Sequence, residues 1–271
     1  MTPAWVLAVL AIAATPCRAQ APTVAVTATP ELVSLRPGTA FRVALRLIIP
    51  EGWHINWKRP GQTGLPTTIT WRTPSWIAAG EAAWPFPELL DTAGTRSHVY
   101  RGEVILLTPF RVRADAASGP IDLVADLSWG ICREICIPQE RRVVLSLPVG
   151  TLAPQPSPAW AAVAAAANAQ LPVAPAHLTL RATATQDGVR LVLHAQGRTT
   201  LPTAPAVFFP EDSTIRTALI LQPRLVSGDL VFTLRAYGGV RVTGVLVSDE
   251  GWGGADNPRA LKLDLPVERA R

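Results

Sequence analysis

Sulfur is scarce in this sequence of 271 residues, which has three cysteines and, as its only methionine, Met1. Two thiolates alone do not complete a tetrahedral metal site, and none of the four histidines lies near Cys132 or Cys136 in the sequence. A Ser/His/Asp arrangement, a phosphate-binding loop and an HExxH motif are also missing. We therefore expect neither a metal nor a cofactor.

Runs of positive charge are absent as well, although the net charge is +5 and the isoelectric point is about 9.7. Nearly all the cations are arginines scattered along the chain. Because nucleic-acid-binding proteins carry basic runs or basic patches interleaved with aromatics, we predict no nucleic-acid partner.

Long apolar runs are missing after the N-terminus. Residues 4–14 are apolar and are followed by a small-x-small end at Cys17-Arg18-Ala19, which predicts a cleaved signal peptide over residues 1–19. The run is too short to span a bilayer, which needs about 20 apolar residues. A lipid anchor on Cys17 is the alternative, although Pro16 suits lipidation poorly. No transmembrane segment is predicted, and we expect the exported chain to work in an oxidising compartment.

Helical periodicity is almost absent from the exported part. Apolar residues alternate with polar ones over residues 41–49, and similar short runs are separated by breaks rich in proline and glycine. Further predicted strands are Thr67–Arg72, Val104–Val112, Ile121–Leu127, Val143–Val149, Leu178–Ala182, Val189–His194, Leu230–Arg235, Val240–Val247 and Leu261–Val267. This pattern predicts an all-β fold of antiparallel sandwiches.

One segment interrupts the strands and divides the chain. Residues 151–175 contain three prolines followed by an alanine-rich stretch, Ala159–Gln170. Ser157 can cap a short helix there and Pro158 can be its first residue. The predicted domains are therefore residues 20–150, a linker with a short helix over 151–175, and residues 176–271.

Cys132 and Cys136 are the main candidates for chemistry. On one extended strand they would lie about 13 Å apart, whereas a disulfide needs Cα atoms within about 7 Å. Bonding therefore requires a helical turn or a tight reversal, and Arg133–Ile135 is short enough to be a hairpin loop. A bridge closing so small a loop removes little entropy from the unfolded chain, which favours a reversible redox bond. A structural disulfide remains the alternative.

The other candidate residues have ordinary structural explanations. Arg133 could stabilise a thiolate, but a surface arginine is the default. His54, placed between strands, is expected to be a packed or hydrogen-bonded histidine, and Glu103 and Glu134 are expected to be solvated. Five tryptophans crowd one region and predict a sandwich core rather than a binding platform; they are Trp53, Trp57, Trp71, Trp76 and Trp84.

Several unusual motifs recur in the order found in a known family. Residues 52–67 (GWHINWKRPGQTGLPT), 84–87 (WPFP), 100–103 (YRGE) and 128–138 (SWGICREICIP) resemble the N-terminal periplasmic domain of the transmembrane disulfide reductase DsbD. They are more similar to its ScsB-type relatives, which are linked to suppression of copper sensitivity. The second half resembles the extra sandwich of ScsB-type proteins through residues 207–212 (VFFPED) and 259–263 (RALKL).

The resemblance implies a fold and an activity. It implies immunoglobulin-like sandwiches and a periplasmic location. It also implies that Cys132 and Cys136 form a redox pair, which accepts electrons from a membrane-embedded domain and a thioredoxin-like domain and passes them to periplasmic partners. The 271 residues include neither of those domains, so we expect the partners to be thioredoxin-fold proteins and a separate membrane electron-transfer protein.

Two points remain open at the sequence level. DsbD shields its cysteines with a cap loop that carries an aromatic residue, whereas residues 89–98 here contain only the imidazole of His98, which leaves the shielding open. The alternative function is a non-catalytic binding or assembly module of the cell envelope with a structural disulfide, linked to metal handling or copper tolerance.

Overall fold

The first half of the chain is built of strands. The computed structural model describes residues 22–197, 200–212, 215, 217–235 and 237–269; the predicted signal peptide lies outside them. The strands up to residue 149 are β1 (Ala25–Pro30), β2 (Ala40–Ile48), β3 (His54–Gly61), β4 (Thr68–Arg72), β5 (Ile77–Ala79), β6 (Glu88–Thr92), β7 (Thr95–Tyr100), β8 (Glu103–Val112), β9 (Gly119–Cys132) and β10 (Cys136–Val149).

These strands form two sheets, which pack as a sandwich. One sheet has the order β1-β2-β8-β5, and the other has the order β10-β9-β3-β7-β6 with β4 also paired to β9. Alternating apolar side chains from both sheets fill the space between them, as the period-two pattern predicted. The strands β9 and β10 have 14 residues each and form one continuous hairpin.

Strand β3 is irregular and was not predicted from the sequence. Its pairing with β7 shifts register between Asn56 and Gly61. Ile55, Asn56 and Trp57 are buried in succession, so the strand lacks the alternation that identifies a half-buried strand. The interpretation of His54 as a residue between strands is therefore wrong, because His54 is the first residue of β3.

The predicted helix is present as α1, Trp160–Asn168, but its start differs from the prediction. Its N-cap is Ala159, which makes no side-chain cap bond. Ser157 and Pro158 thus precede the helix, and the Ser157 carbonyl accepts from the Trp160 N–H. Ala167 packs in a cluster with Ala44, Ile105 and Leu107, so the helix lies on β2 and β8.

The second half forms another sandwich. Its strands are β11 (Leu178–Thr185), β12 (Gly188–Ala195), β13 (Ala206–Pro210), β14 (Leu219–Leu221), β15 (Arg224–Val226), β16 (Asp229–Arg235), β17 (Arg241–Val247) and β18 (Ala260–Glu268). Their order is β14-β13-β17-β18-β11-β12-β16-β15. The strand β18 pairs antiparallel with β17 and then, at its end, parallel with β11. The predicted all-β fold of sandwiches is confirmed: the named strands pair antiparallel, with a parallel pairing at the end of β18.

The two sandwiches share buried surface. The main core cluster of the first contains Trp57, Ile55 and Leu127 together with residues from the second half, which are Phe209, Ala218, Val245, Val247 and Ala260. The rings of Trp57 and Phe209 meet edge to face at 6.3 Å. The strand β3, which carries Trp57, is therefore packed between the two halves. In the described part of the chain, no helix has the length and apolar character that crossing a membrane requires.

Candidate functional site

The hairpin of β9 and β10 brings the two cysteines together. The strand β9 ends at Cys132 and β10 begins at Cys136, and these residues face each other in the ladder. Their Cα atoms are 4.1 Å apart and their sulfurs form a disulfide. The loop Arg133–Ile135 supplies the reversal, which agrees with the tight-turn geometry inferred from the spacing.

The two sulfur-bearing residues differ in exposure. Cys132 is 3% exposed, whereas Cys136 and the three loop residues are exposed to solvent. Ile135, at the tip of the loop, is 69% exposed. A partner approaching from solvent therefore reaches Cys136 first.

His54 on β3 is the ladder partner of Cys132 on the adjacent strand β9. The ladder places Cys136, Cys132 and His54 opposite one another on three adjacent strands, so their side chains are on the same face. His54 is half-buried, and its burial together with the nearby Arg101 lowers the pKa of its imidazole below the usual value. His54 is thus a neutral neighbour of the disulfide near pH 7.

Asn56 is the buried polar group next to Cys132, and it is not among the site residues predicted from the sequence. Its Oδ1 lies 3.9 Å from Cys132 Sγ, and the carbonyl oxygen of Gly130 lies 3.6 Å from the same sulfur. Asn56 itself is 1% exposed. The signal available in the sequence was a polar residue between the apolar Ile55 and Trp57.

The loop between β3 and β4 covers this region. Leu65 packs so closely on Gly130 that a Cβ there would come within 3.1 Å of the Leu65 Cβ. Gly64, with a φ of +99°, packs against the Asn56 amide. Residues 62–66 therefore cover the sheet beside Cys132, and we refer to them as the β3–β4 loop.

Residues 89–98, for which the sequence left the shielding of the cysteines open, lie in a hairpin. Residues 88–100 form the hairpin of β6 and β7, with a tight turn in which Asp91 accepts from the Gly94 N–H. The strand β7 meets β3 through Tyr100 and Ile55, next to His54, so the turn is at the far end of β7 from the cysteines. The turn of this hairpin therefore does not lie over the disulfide.

The charged candidates near the cysteines are placed as follows. The Arg133 guanidinium lies over the ring of Trp53 at 4.9 Å from its centroid. Glu134 is exposed in the loop, and Glu103 forms an ion pair with Arg46 at 2.5 Å. Arg133 therefore borders the site through a cation–π contact, whereas Glu103 is engaged with another strand.

The five tryptophans contribute to the core. Trp57 is fully buried and Trp53, Trp71 and Trp84 pack against the same cluster. Trp76 packs on the neighbouring cluster around Phe41. Across the described ranges, no group of three or more histidine, cysteine or acidic side chains could hold a metal ion.

Comparison with known proteins relates this geometry to a family. Residues 21–148 match the family described as thiol:disulfide interchange protein DsbD, N-terminal. The structure is similar to the N-terminal periplasmic domain of ScsB from Proteus mirabilis, with a TM-score of 0.59 and 17% identity over 90% of this chain and 92% of that chain. At that identity the likeness shows the fold alone. The major pilin subunit of Bacillus cereus aligns with a TM-score of only 0.30 at 9% identity, covering 93% of this chain and 70% of that chain. No curated protein sequence matches significantly.

Proposed function

We propose that this chain, whose residues 21–148 belong to the DsbD N-terminal family, exchanges disulfides with partner proteins through Cys132 and Cys136. The observation that carries the proposal is a disulfide at the tip of a hairpin with one sulfur-bearing residue exposed and the other buried. In such a pair one sulfur is accessible to a partner, and the buried second sulfur can then attack the mixed disulfide. Within this proposal, residues 20–150 carry the chemistry, residues 151–175 link the domains and residues 176–271 support the first sandwich.

The exchange proceeds in two balanced steps. In the reduced chain, the Cys136 thiolate attacks a partner disulfide, forms a mixed disulfide and releases one partner thiolate. The Cys132 thiol then loses its proton and attacks the Cys136 sulfur, which releases the second partner sulfur. Two electrons pass to the partner, the Cys132–Cys136 bond forms, and the proton from Cys132 reaches the departing sulfur through water.

The expected partners are thioredoxin-fold proteins of the periplasm and a separate membrane protein that returns electrons to the pair. The predicted signal peptide and the periplasmic origin of the ScsB domain support this compartment. The exposed hairpin tip supports direct protein contact, because a thiol exchange needs two sulfurs in line and no cofactor.

Trapping tests the roles of the two cysteines. The probe is a thioredoxin-fold protein with one active-site cysteine, activated with thionitrobenzoate so that attack releases a coloured thiolate. Reduced Cys132→Ala should form a stable mixed disulfide, because Cys136 is exposed and nothing resolves the bond. Reduced Cys136→Ala should react at least about tenfold more slowly, because Cys132 is buried. The unchanged chain should release the probe again through Cys132.

The alternative, a binding module with a structural disulfide, predicts different results. Its disulfide would have a reduction potential below about −300 mV, and the two single variants would not differ as attacking and resolving cysteines do. The double variant Cys132→Ala/Cys136→Ala is the control for colour released by other groups. A potential in that low range, or equal trapping by both single variants, would contradict the proposed exchange.

A further inference from the structure

The orientation of the Asn56 amide is fixed by its neighbours. Its Nδ2 lies 3.4 Å from the carbonyl oxygen of His98 and 3.5 Å from that of Thr63. Carbonyl oxygens only accept hydrogen bonds, so the amide nitrogen must face them. Rotating the amide by half a turn would place Oδ1 against two acceptors. The orientation therefore leaves Oδ1 facing Cys132 Sγ.

The backbone around Asn56 leaves its side chain little room to move. Thr67 Oγ1 donates to the Asn56 carbonyl oxygen at 2.5 Å. A Cβ on Gly64 would come within 2.1 Å of Asn56 Oδ1. Thr63 Oγ1 and Ser97 Oγ are 3.0 Å apart, which ties the β3–β4 loop to β7. The Asn56 carboxamide is thus held between the loop, β7 and the sulfur.

This arrangement has a chemical consequence once the disulfide is reduced. Cys132 then carries an S–H, and the Asn56 and Gly130 oxygens are acceptors placed next to it. A hydrogen bond to the neutral form of a group, in a buried place, disfavours its charged form. Cys132 is therefore held as a thiol while the solvent-exposed Cys136 ionises first.

We propose that Asn56 is a positioning residue that keeps Cys132 protonated until the mixed disulfide has formed on Cys136. The inference rests on the proposed exchange function, and it explains which sulfur attacks and which resolves. Early ionisation of Cys132 would offer a second nucleophile to the partner. A protonated Cys132 confines the first attack to the exposed sulfur.

The charged and titratable neighbours do not obscure this effect. His54 faces Cys132 from β3 and is already neutral in the range where thiols titrate. Arg101, which lies near His54, is in an ion pair with Glu88. Arg133 lies over Trp53.

The pKa of Cys132 tests the proposal, measured in Cys17→Ser/Cys136→Ser protein so that one thiol titrates. The absorbance of the thiolate near 240 nm is followed against pH. Replacing Asn56 by leucine removes the acceptor and should lower the pKa of Cys132. Replacing it by aspartate puts a carboxylate beside the sulfur and should raise that pKa by at least one unit, a tenfold change in ionisation. We therefore expect the pKa of Cys132 to be lowest in Asn56→Leu, intermediate with the natural Asn56 and highest in Asn56→Asp.

A purely structural role of Asn56 predicts another result. Both substitutions would then reduce stability in urea without moving the pKa of Cys132 in opposite directions. The matched control is Gln139→Leu, a half-buried amide on the same hairpin that accepts from Trp129 Nε1 and donates to the Pro22 carbonyl. It should leave the pKa of Cys132 unchanged.

Two outcomes would overturn the inference. A rise of the pKa in Asn56→Leu would mean that the amide favours the thiolate of Cys132 rather than its thiol. An unchanged pKa in both variants would mean that the Oδ1 atom does not act on Cys132. The titration needs no partner, so its failure is distinguishable from a failure of the trapping experiment.

Discussion

Two hairpins, one in each sandwich, reverse the chain in different ways. The strands β11 and β12 pair down to Thr185 and Gly188, and Gln186 and Asp187 form the turn. The strands β9 and β10 pair down to Cys132 and Cys136, and a disulfide closes the loop. Gly188, the first residue of β12, has a φ of +143°, which a glycine adopts readily. The second sandwich thus closes a hairpin without a covalent bond, so closing the chain does not by itself require the disulfide.

The surroundings of the two hairpin ends differ too. Thr185 and Gly188 are half-buried, and the turn residues between them are exposed. At the cysteine hairpin, one residue of the last pair is buried beside Asn56 while the other is exposed. A structural link needs no such asymmetry, whereas an exchange reaction uses it. The comparison therefore favours chemistry at the first hairpin and scaffold at the second.

The largest expected effect comes from removing the tryptophan under each hairpin. Trp57 and Trp252 are both fully buried, and Trp252 packs in the cluster that contains Leu191 and Leu193 of β12. Truncating either to alanine should lower the free energy of unfolding by about 3–5 kcal/mol, measured in urea. Only Trp57→Ala should also change the rate at which dithiothreitol reduces the disulfide, because Trp57 follows Asn56 on β3. If dithiothreitol reduces the disulfide at the same rate in Trp57→Ala and Trp252→Ala, the packing under the cysteine hairpin has no special effect on the disulfide.

The next effect concerns the disulfide itself. A bridge closing a loop of about five residues should contribute only about 2 kcal/mol of stability through the entropy of the unfolded chain. The free energy of unfolding of the oxidised chain should therefore exceed that of the reduced chain by about this amount, measured by urea unfolding with and without a phosphine reductant. Hydrogen exchange of the β11–β12 hairpin should not change, which serves as the internal control. A loss above about 4 kcal/mol would identify the bond as a structural staple.

The sequence predicted most strands and the reversal between the cysteines better than it predicted the surroundings of the disulfide. Strands such as β2 and β9 follow from alternating apolar residues, and the tight reversal at the cysteines follows from their spacing. The sandwich fold was therefore predictable, because period two reports one buried face. The strand β3 was not predictable in this way, since its buried residues follow one another directly and the strand ends in Pro60 and Gly61.

The missed strand explains why the site was predicted only in part. Asn56 and Cys132 are 76 residues apart in sequence, and they meet only because β3 pairs with β9 at His54 and Ile55. No local pattern contains that pairing. Similarly, β9 and β10 extend beyond the predicted Ile121–Leu127 and Val143–Val149, because β10 is mostly solvent-exposed and carries charged residues on its outer face.

The smallest effect tests whether the second sandwich supports, through charge, the one that carries the disulfide. The only two lysines of the sequence, Lys58 on β3 and Lys262 on β18, both pair with Glu211. Burial opposes ionisation of Glu211, but the hydrogen bonds and charges of Lys262 and Lys58 outweigh it and lower the pKa of its carboxyl. Replacing Glu211 by glutamine should cost about 1 kcal/mol of unfolding free energy near pH 7, because the lysines can still reach water.

The pH dependence gives this last prediction its sign. A carboxyl whose pKa is lowered by folding stabilises the folded chain above its unfolded value, and it loses that contribution as pH falls through the folded value. The difference in unfolding free energy between the natural chain and Glu211→Gln should therefore have its full value near pH 7 and decrease below about pH 4.5. Glu88→Gln, at the exposed ion pair with Arg101, is the matched control and should change stability little. If Glu211→Gln and Glu88→Gln behave alike at every pH, the contact between the sandwiches depends on apolar packing around Trp57 and Phe209 rather than on the buried charge.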